Sequence, residues 1–177
     1  MKFSANLGFL WNELDLPAAI HAAKSAGFSA VECHWPYDVS VLDVNKALQE
    51  TGLEMLGLNT RRGNPDQGDN GLSAIPARIK EARVAIDEAV SYAAEINARC
   101  IHVMAGFASG PEADKTFKAN LKYACDAARP YGIKILIEPL NYYDAPGYFL
   151  TTTEQARNLI KEVKSDNLAL MFDCYHV

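Results

Sequence analysis

Two acidic residues stand out in this sequence because each follows a short apolar segment that has the composition of a buried strand. Glu138 comes directly after residues 134–137 and is followed by Pro139, and Asp173 comes directly after residues 168–172. Proline has no backbone N–H for a sheet ladder, so it ends the strand and leaves Glu138 at the carboxyl end. The pair predicts a metal site or an acid/base site at the carboxyl edge of a parallel sheet. The alternative is that each carboxylate only caps the next loop or helix.

A cation is the simplest partner for two acids in these positions. If Glu138 and Asp173 end consecutive strands, their side chains converge, and two close carboxylates repel each other unless a positive charge lies between them. A hard divalent ion that prefers oxygen ligands, Mg²⁺ or Mn²⁺, meets that requirement. His176 follows Asp173 by three residues, where it could bind the metal or hydrogen-bond a substrate oxygen.

The elements that must position these residues alternate between strands and helices. The strand candidates are residues 3–10, 28–34, 53–59, 100–104, 134–137 and 168–172. The helix candidates are residues 16–26, 41–51, 78–97, 114–129 and 154–163, the last capped by Thr153. Such alternation predicts βα units and a parallel sheet. We therefore predict an α/β fold, a (β/α)₈ TIM barrel of which about six units are present. A doubly wound sheet also accommodates six strands, but the first turn, residues 8–11, lacks the glycine-rich pattern typical of that fold.

Composition limits the classes of partner. The 177 residues are 49% hydrophobic and 22% charged, which predicts one soluble domain over residues 1–177. The net charge is −5 and Arg61-Arg62 is the only basic pair, so we expect no nucleic-acid or membrane partner. The sequence has no signal-peptide pattern, no membrane-spanning run and no closely spaced cysteines, which favours a reducing cytoplasm without disulfides.

Several polar residues near predicted strand ends are further candidates. Asn6, Asn59 and His102 are predicted contacts for a small ligand. His34 and Glu32 could also face the barrel mouth, although hydrogen bonding in the core or in a loop is the alternative for each histidine. The long polar loop at residues 60–71 is either a lid over the site or a disordered connection.

Three segments resemble the hydroxypyruvate isomerase family: Phe3-Ser4-Ala5-Asn6-Leu7, Glu138-Pro139-Leu140-Asn141 and Phe172-Asp173-Cys174-Tyr175-His176. This family belongs to the xylose isomerase-like TIM barrels, which include ketose 3-epimerases. The resemblance extends along essentially the whole chain. It implies that Glu138 is a metal ligand and one of two acid/base glutamates, that Asp173 is a second ligand, and that His176 contacts the substrate.

The resemblance also implies the reaction. A proton moves between adjacent carbons of a small α-hydroxycarbonyl acid through an enediolate, with a divalent metal holding the substrate oxygens, as in conversion of hydroxypyruvate to tartronate semialdehyde. The family takes a further ligand and a second glutamate from its last two strands, whereas this sequence ends at Val177. We therefore expect a C-terminally incomplete barrel, and we expect residues 1–177 alone to self-associate and to lack activity.

Two other functions are compatible with the same residues. A ketose 3-epimerase would use the same ligands on a sugar substrate, and a non-catalytic barrel fragment would bind a metal weakly or only pack against a partner. A homo-oligomer is compatible with each of these functions.

Overall fold

The computed structural model describes residues 2–177 as parallel strands that alternate with helices. The strands are β1 Ser4–Asn6, β2 Ala30–Glu32, β3 Glu54–Met55, β4 Gly57–Asn59, β5 Cys100–His102, β6 Lys134–Ile137 and β7 Leu168–Leu170. The helices are α1 Leu16–Ser25, α2 Val41–Thr51, α3 Ile79–Glu95, α4 Pro111–Ala128 and α5 Thr153–Val163. Within these residues, no helix is long and apolar enough to cross a bilayer.

The strands form one curved surface made of two hydrogen-bonded sheets, in the orders β1-β2-β3 and β4-β5-β6-β7. Every strand pairing is parallel. The two sheets are continuous because the N–H of Leu56 donates to Val31 O at 2.7 Å and the N–H of Cys33 donates to Gly57 O at 3.0 Å. The predicted third strand, residues 53–59, is therefore present but broken at Leu56.

Several predicted boundaries were wrong. The first strand is only three residues long because the chain turns at Asn6, whose carbonyl accepts from the N–H groups of Phe9 and Leu10. The last strand ends at Leu170, so Asp173 lies in the exit turn rather than at the strand end. Helix α4 begins at Pro111, where proline suits the first helical turn, and not at residue 114. Helix α5 is capped by Thr152, not Thr153, since the Thr152 hydroxyl accepts from the N–H of Gln155 at 3.1 Å.

The alternation of side chains along the strands separates the core from the cleft. On β6, Ile135 and Ile137 are fully buried, whereas Leu136 lines a cleft on the opposite face. The buried face packs against the helices through large apolar residues, which include Phe117 and Leu121 of α4. Glu138 has the same parity as Leu136, so the strand directs it into the cleft.

The long loop is ordered by contacts with the end of β5. It contains a 3₁₀ turn at Pro65–Gln67, and Gly71 forms an antiparallel bridge with Ala105. Asp69 contacts Arg78 at 2.6 Å and accepts from the N–H of Asn64 at 2.7 Å. The alternative that this segment is disordered is wrong, and its role as a lid stays a prediction.

Gly106→Ala is expected to destabilise the protein by about 3 kcal/mol, because the backbone strain of a positive φ adds to a steric clash of the new Cβ. Gly106 has φ +91°, and a Cβ there would lie 2.2 Å from the carbonyl oxygen of Gly71. The control is Gly68→Ala, where φ is +81° but no atom lies within 4 Å, so only the backbone cost of about 1 kcal/mol remains. Urea unfolding of both variants measures the difference; equal losses would contradict the proposed close approach of the two backbones.

Candidate functional site

A cleft of about 940 Å³ lies at the carboxyl ends of the strands. Side chains from successive strands and their exit loops line it, including Asn6, Glu32, His34, Asn59, His102, Glu138, Asp173 and His176. All of the residues predicted to bind metal or substrate therefore border one cavity. This is the position in which TIM-barrel chemistry occurs, since the βα loops meet there.

Three of the predicted residues form a cluster. Glu138, Asp173 and His176 each present a potential ligand atom, and these atoms all lie within 4.8 Å of one another. Glu138 follows β6 directly, and the other two occupy the turn after β7, where the N–H of His176 donates to Asp173 O at 3.1 Å. The structure thus brings the two acids close together, well inside the roughly 8 Å beyond which they could not share one ion.

Burial makes Glu138 an unusual carboxylate. Loss of hydration, followed by the charges of Asp173 and Glu32, raises the pKa of Glu138 to about 7. Burial and the Asp173 charge also raise the pKa of Glu32. Glu138 and Glu32 therefore lie where water stabilises their charges poorly, close to the charge of the exposed Asp173, and a bound cation relieves such an arrangement.

The hydrogen bonds of His176 indicate its tautomer. Its Nδ1 accepts from the backbone N–H of Asn141 at 3.2 Å and lies 2.9 Å from the Asn141 side-chain nitrogen. If Nδ1 is the acceptor, the proton of a neutral imidazole lies on Nε2. This tautomer, assigned from the bonding pattern, suits donation to a substrate oxygen better than metal binding through Nε2. Sequence reasoning missed the supporting role of Asn141, although the residue belongs to one of the three family-like segments.

His102 lies beside Glu138 without a hydrogen-bond partner in the described residues. It is 4% exposed, and neither ring nitrogen has a hydrogen-bond partner within the described residues. Its Nδ1 lies 3.8 Å from Glu138 Oε2, which is too long for a hydrogen bond. Burial, together with His34, lowers the pKa of His102 to about 3, so the contact joins a neutral imidazole to the acid and is not an ion pair. Unpartnered buried nitrogens next to an acid are typical of a site completed by a ligand.

The remaining candidates contribute to the cleft walls. Asn6 Oδ1 accepts from the N–H of Gly8 at 2.9 Å, so this amide fixes the first turn as well as bordering the cavity. Asn59 borders the cavity from β4. His34 packs edge-on against Phe9 and Trp35, with ring centroids 4.9 Å and 5.1 Å away. Sequence reasoning did not identify this aromatic wall or Arg62 beside it.

The raised pKa of Glu138 predicts a pH-dependent cost in stability for the metal-free protein. Glu138 ionises near the ordinary glutamate pKa of 4.5 in the unfolded state and near 7 in the folded state, so its own contribution to stability is most favourable below pH 4.5 and falls as the pH rises to 7. The full shift corresponds to at most about 3 kcal/mol. We expect Glu138→Gln to abolish this fall, so its advantage over the wild type should grow between pH 4.5 and pH 7.5. Urea unfolding in EDTA tests this; a constant difference across that range would show that Glu138 ionises normally.

The comparisons with known proteins agree with this geometry. Residues 20–177 match the family described as xylose isomerase-like TIM barrel. The chain is 38% identical to a 2-oxo-tetronate isomerase of Cupriavidus necator, covering 99% of this chain and 69% of that protein. It is 35% identical to the hydroxypyruvate isomerase of Escherichia coli, covering 100% of this chain and 70% of that protein. A crystal structure described as AP endonuclease, family 2, from Brucella melitensis superimposes with a TM-score of 0.94 at 35% identity, covering 99% and 69% of the two chains.

These matches define the class of protein first: the chain belongs to the xylose isomerase-like TIM barrel family. Within that family its relatives include curated isomerases of small hydroxy-keto acids, and the chain is an isomerase of this kind. The prediction of fold and family is confirmed, while the roles assigned to individual site residues stay predictions.

Proposed function

We propose that this protein isomerises a small α-hydroxy-keto acid, of the size of hydroxypyruvate or 2-oxo-tetronate, by metal-assisted proton transfer at Glu138. The observation that carries the proposal is the cluster of Glu138, Asp173 and His176 within 4.8 Å in a cleft that raises the pKa of Glu138 to about 7. In the metal-free cleft, this carboxylate can be either protonated or ionised near neutral pH, which suits a group that takes and returns a proton.

The residues of the cluster fit a divalent metal. Carboxylate oxygens are the ligands that Mg²⁺ and Mn²⁺ prefer, and Glu138 and Asp173 supply them at one point of the cleft. The raised pKa of Glu138 supports this fit, because it means that the protein alone compensates the charge of this carboxylate poorly. When bound, the metal would neutralise these acids and polarise the carbonyl and hydroxyl oxygens of the substrate.

Three side chains have different roles in the proton transfer. Glu138 takes the proton from the hydroxyl-bearing carbon next to the carbonyl, which gives the enediolate, and returns it to the former carbonyl carbon, while the hydroxyl proton moves to the former carbonyl oxygen. The Nε2–H of His176 donates to a substrate oxygen and favours the charge that develops there. His102 is neutral and, with Leu136, borders the cleft beside Glu138, so this part of the site is poorly hydrated.

The charge of the cleft argues against a nucleic-acid substrate. The Brucella structure is described as an endonuclease, but the described residues that border the cavity here include Glu32, Glu138 and Asp173 and one arginine. A nucleic-acid backbone requires several cationic contacts.

A ketose 3-epimerase would use the same acids, so tests with different substrates must distinguish an epimerase from a hydroxy-keto acid isomerase. We infer a cytoplasmic enzyme that binds small molecules. The self-association and the inactivity expected of residues 1–177 alone stay predictions, so activity is tested on a full-length version of the protein.

The test uses substrates that share a reactive centre but differ in charge and length. The enzyme supplied with Mn²⁺ or Mg²⁺ is incubated with hydroxypyruvate, 2-oxo-tetronate, D-fructose and D-tagatose, and products are followed by ¹H NMR. We expect turnover of the hydroxy-keto acids and little turnover of the ketohexoses. Preferential epimerisation of a ketohexose would replace our proposal with the epimerase alternative.

A further inference from the structure

Adjacent arginines in the long loop have opposite environments. Arg61 is neutralised outside the cleft, since its guanidinium contacts Glu88 at 2.7 Å and Asp38 at 3.1 Å. Arg62 borders the cleft and has no carboxylate within 4.0 Å in the described part of the chain. It is also the only lysine or arginine among the described residues that line the cavity. An unpaired guanidinium facing an otherwise acidic cleft is a recognition element for an anion.

Arg62 is held in place before any ligand arrives. Its guanidinium carbon lies 4.5 Å from the centre of the Trp35 ring, a stacking distance. The Trp35 ring is itself fixed, because its indole N–H donates to Thr60 O at 3.2 Å. The backbone of Arg62 is fixed as well, since its carbonyl accepts from the N–H of Gly71 at 2.8 Å. Stacking covers one face of the guanidinium and leaves its edge donors available to a planar acceptor.

The charges around the cleft determine which end can hold a carboxylate. Glu32, Glu138 and Asp173 repel an anion at the proton-transfer end. Arg62 stacks on Trp35, whose ring centroid lies 5.1 Å from that of His34, so Arg62 lies on the His34 side of the cavity. Because Arg62 and the acids border one cavity, a substrate carboxylate held by Arg62 leaves the hydroxycarbonyl carbons in the cleft that the acids line.

We propose that Arg62, supported by Trp35, binds the substrate carboxylate and makes the enzyme select hydroxy-keto acids over neutral ketoses of the same length. This inference rests on the proposed function for the identity of the substrate, but the anion site itself does not require catalysis. A bidentate guanidinium–carboxylate pair in this partly dehydrated cleft supports an effect of about 10- to 100-fold on affinity.

Binding is tested without metal, so that a metal ion held by the acids does not contribute to binding of the carboxylate and the effect of Arg62 is measured alone. Trp35 reports on the site once the only other tryptophan is removed by Trp11→Phe, since Trp11 lies against Phe28 and does not border the cleft. In EDTA, D-glycerate is titrated and Trp35 fluorescence is followed, with glycerol as the neutral counterpart. We expect saturable binding of D-glycerate only, weakened about 10- to 100-fold by Arg62→Gln and less by Arg62→Lys. Arg61→Gln is the matched control and should bind like the parent.

Kinetics separate this inference from the proposed function. In the metal-loaded enzyme, Arg62→Gln should raise KM for hydroxypyruvate at least about tenfold while kcat changes little, and Arg62→Lys should restore part of the loss.

If the parent binds D-glycerate through Arg62 but does not isomerise hydroxypyruvate, the proposed function fails and the anion site stands. If the parent isomerises hydroxypyruvate and Arg62→Gln leaves KM and D-glycerate affinity unchanged, the inference is overturned. Tighter binding of inorganic phosphate than of D-glycerate would also overturn it, since it would indicate a site for phosphorylated substrates.

Discussion

Glu138→Gln is expected to reduce kcat for isomerisation by about a thousandfold or more while leaving the fold intact. The amide has the shape of the carboxylate, but it can neither take a proton from carbon nor supply a negative charge to a metal. Glu138 lies in a cleft and is not part of the apolar core, so the substitution removes no packing. Its removal from the acidic cluster should even stabilise the metal-free protein, because the cost of ionising a buried carboxylate disappears. Loss of activity with a gain in stability is a combination that simple misfolding does not produce.

Steady-state kinetics with hydroxypyruvate and urea unfolding of the same preparations measure both effects. The matched control is Glu54→Gln. Glu54 is exposed, its carboxylate lies 2.9 Å from the Arg99 guanidinium, and neither residue borders the cleft. Its turnover should equal that of the wild type. Near-normal turnover by Glu138→Gln would show that another residue is the base.

Asp173→Asn is expected to weaken Mn²⁺ binding by at least about 100-fold, since it removes one of two charged oxygen ligands from a small site. Asp173 lies in the exposed turn after β7, so the change should cost little stability. Its Oδ1 accepts from the N–H of Tyr175 at 2.8 Å, and asparagine can keep this turn-forming bond. The loss should therefore be specific to the metal.

Electron paramagnetic resonance of free Mn²⁺, or calorimetric titration, measures the affinity. Asp43→Asn provides the control, because this residue lies in the first turn of α2, far in sequence from the cluster and outside the cleft. Equal Mn²⁺ affinity in Asp173→Asn and wild type would remove Asp173 from the ligand set and leave Glu138 without its proposed partner.

Local signals predicted those parts of the fold that local chemistry determines. Helix α2 was predicted with its observed bounds, because its apolar spacing is regular and Gly52 adopts the left-handed conformation at its end, with φ +66°. Strand β6 was also correct, since Pro139 limits it and places Glu138 in the cleft. Alternation of strands and helices was sufficient to predict the parallel sheet.

The errors came from features that depend on the folded environment. The break at Leu56 arises where the segment pairs with β2 through its first half and with β5 through its second half, which no residue in the segment encodes by itself. The isolation of His102 depends on what surrounds it in three dimensions, so sequence could place it near the mouth but could not show that both nitrogens lack partners. Arg62 was noted only as half of a basic pair. Its position three residues after β4, at the same edge as the acids, was the signal that could have identified it.

The central claim is that Glu138 transfers a proton between carbons of a hydroxy-keto acid. The most direct measurement is ¹H NMR of hydroxypyruvate incubated in D₂O with metal-loaded enzyme and, in parallel, with Glu138→Gln. We predict that the wild-type enzyme removes a C3 proton of hydroxypyruvate, visible as loss of the C3 proton signal through conversion or exchange with deuterium, and that Glu138→Gln leaves this signal at the rate of the enzyme-free control. Loss of the signal at equal rates with both proteins would contradict the account, as would a C3 signal that the wild-type enzyme leaves unchanged.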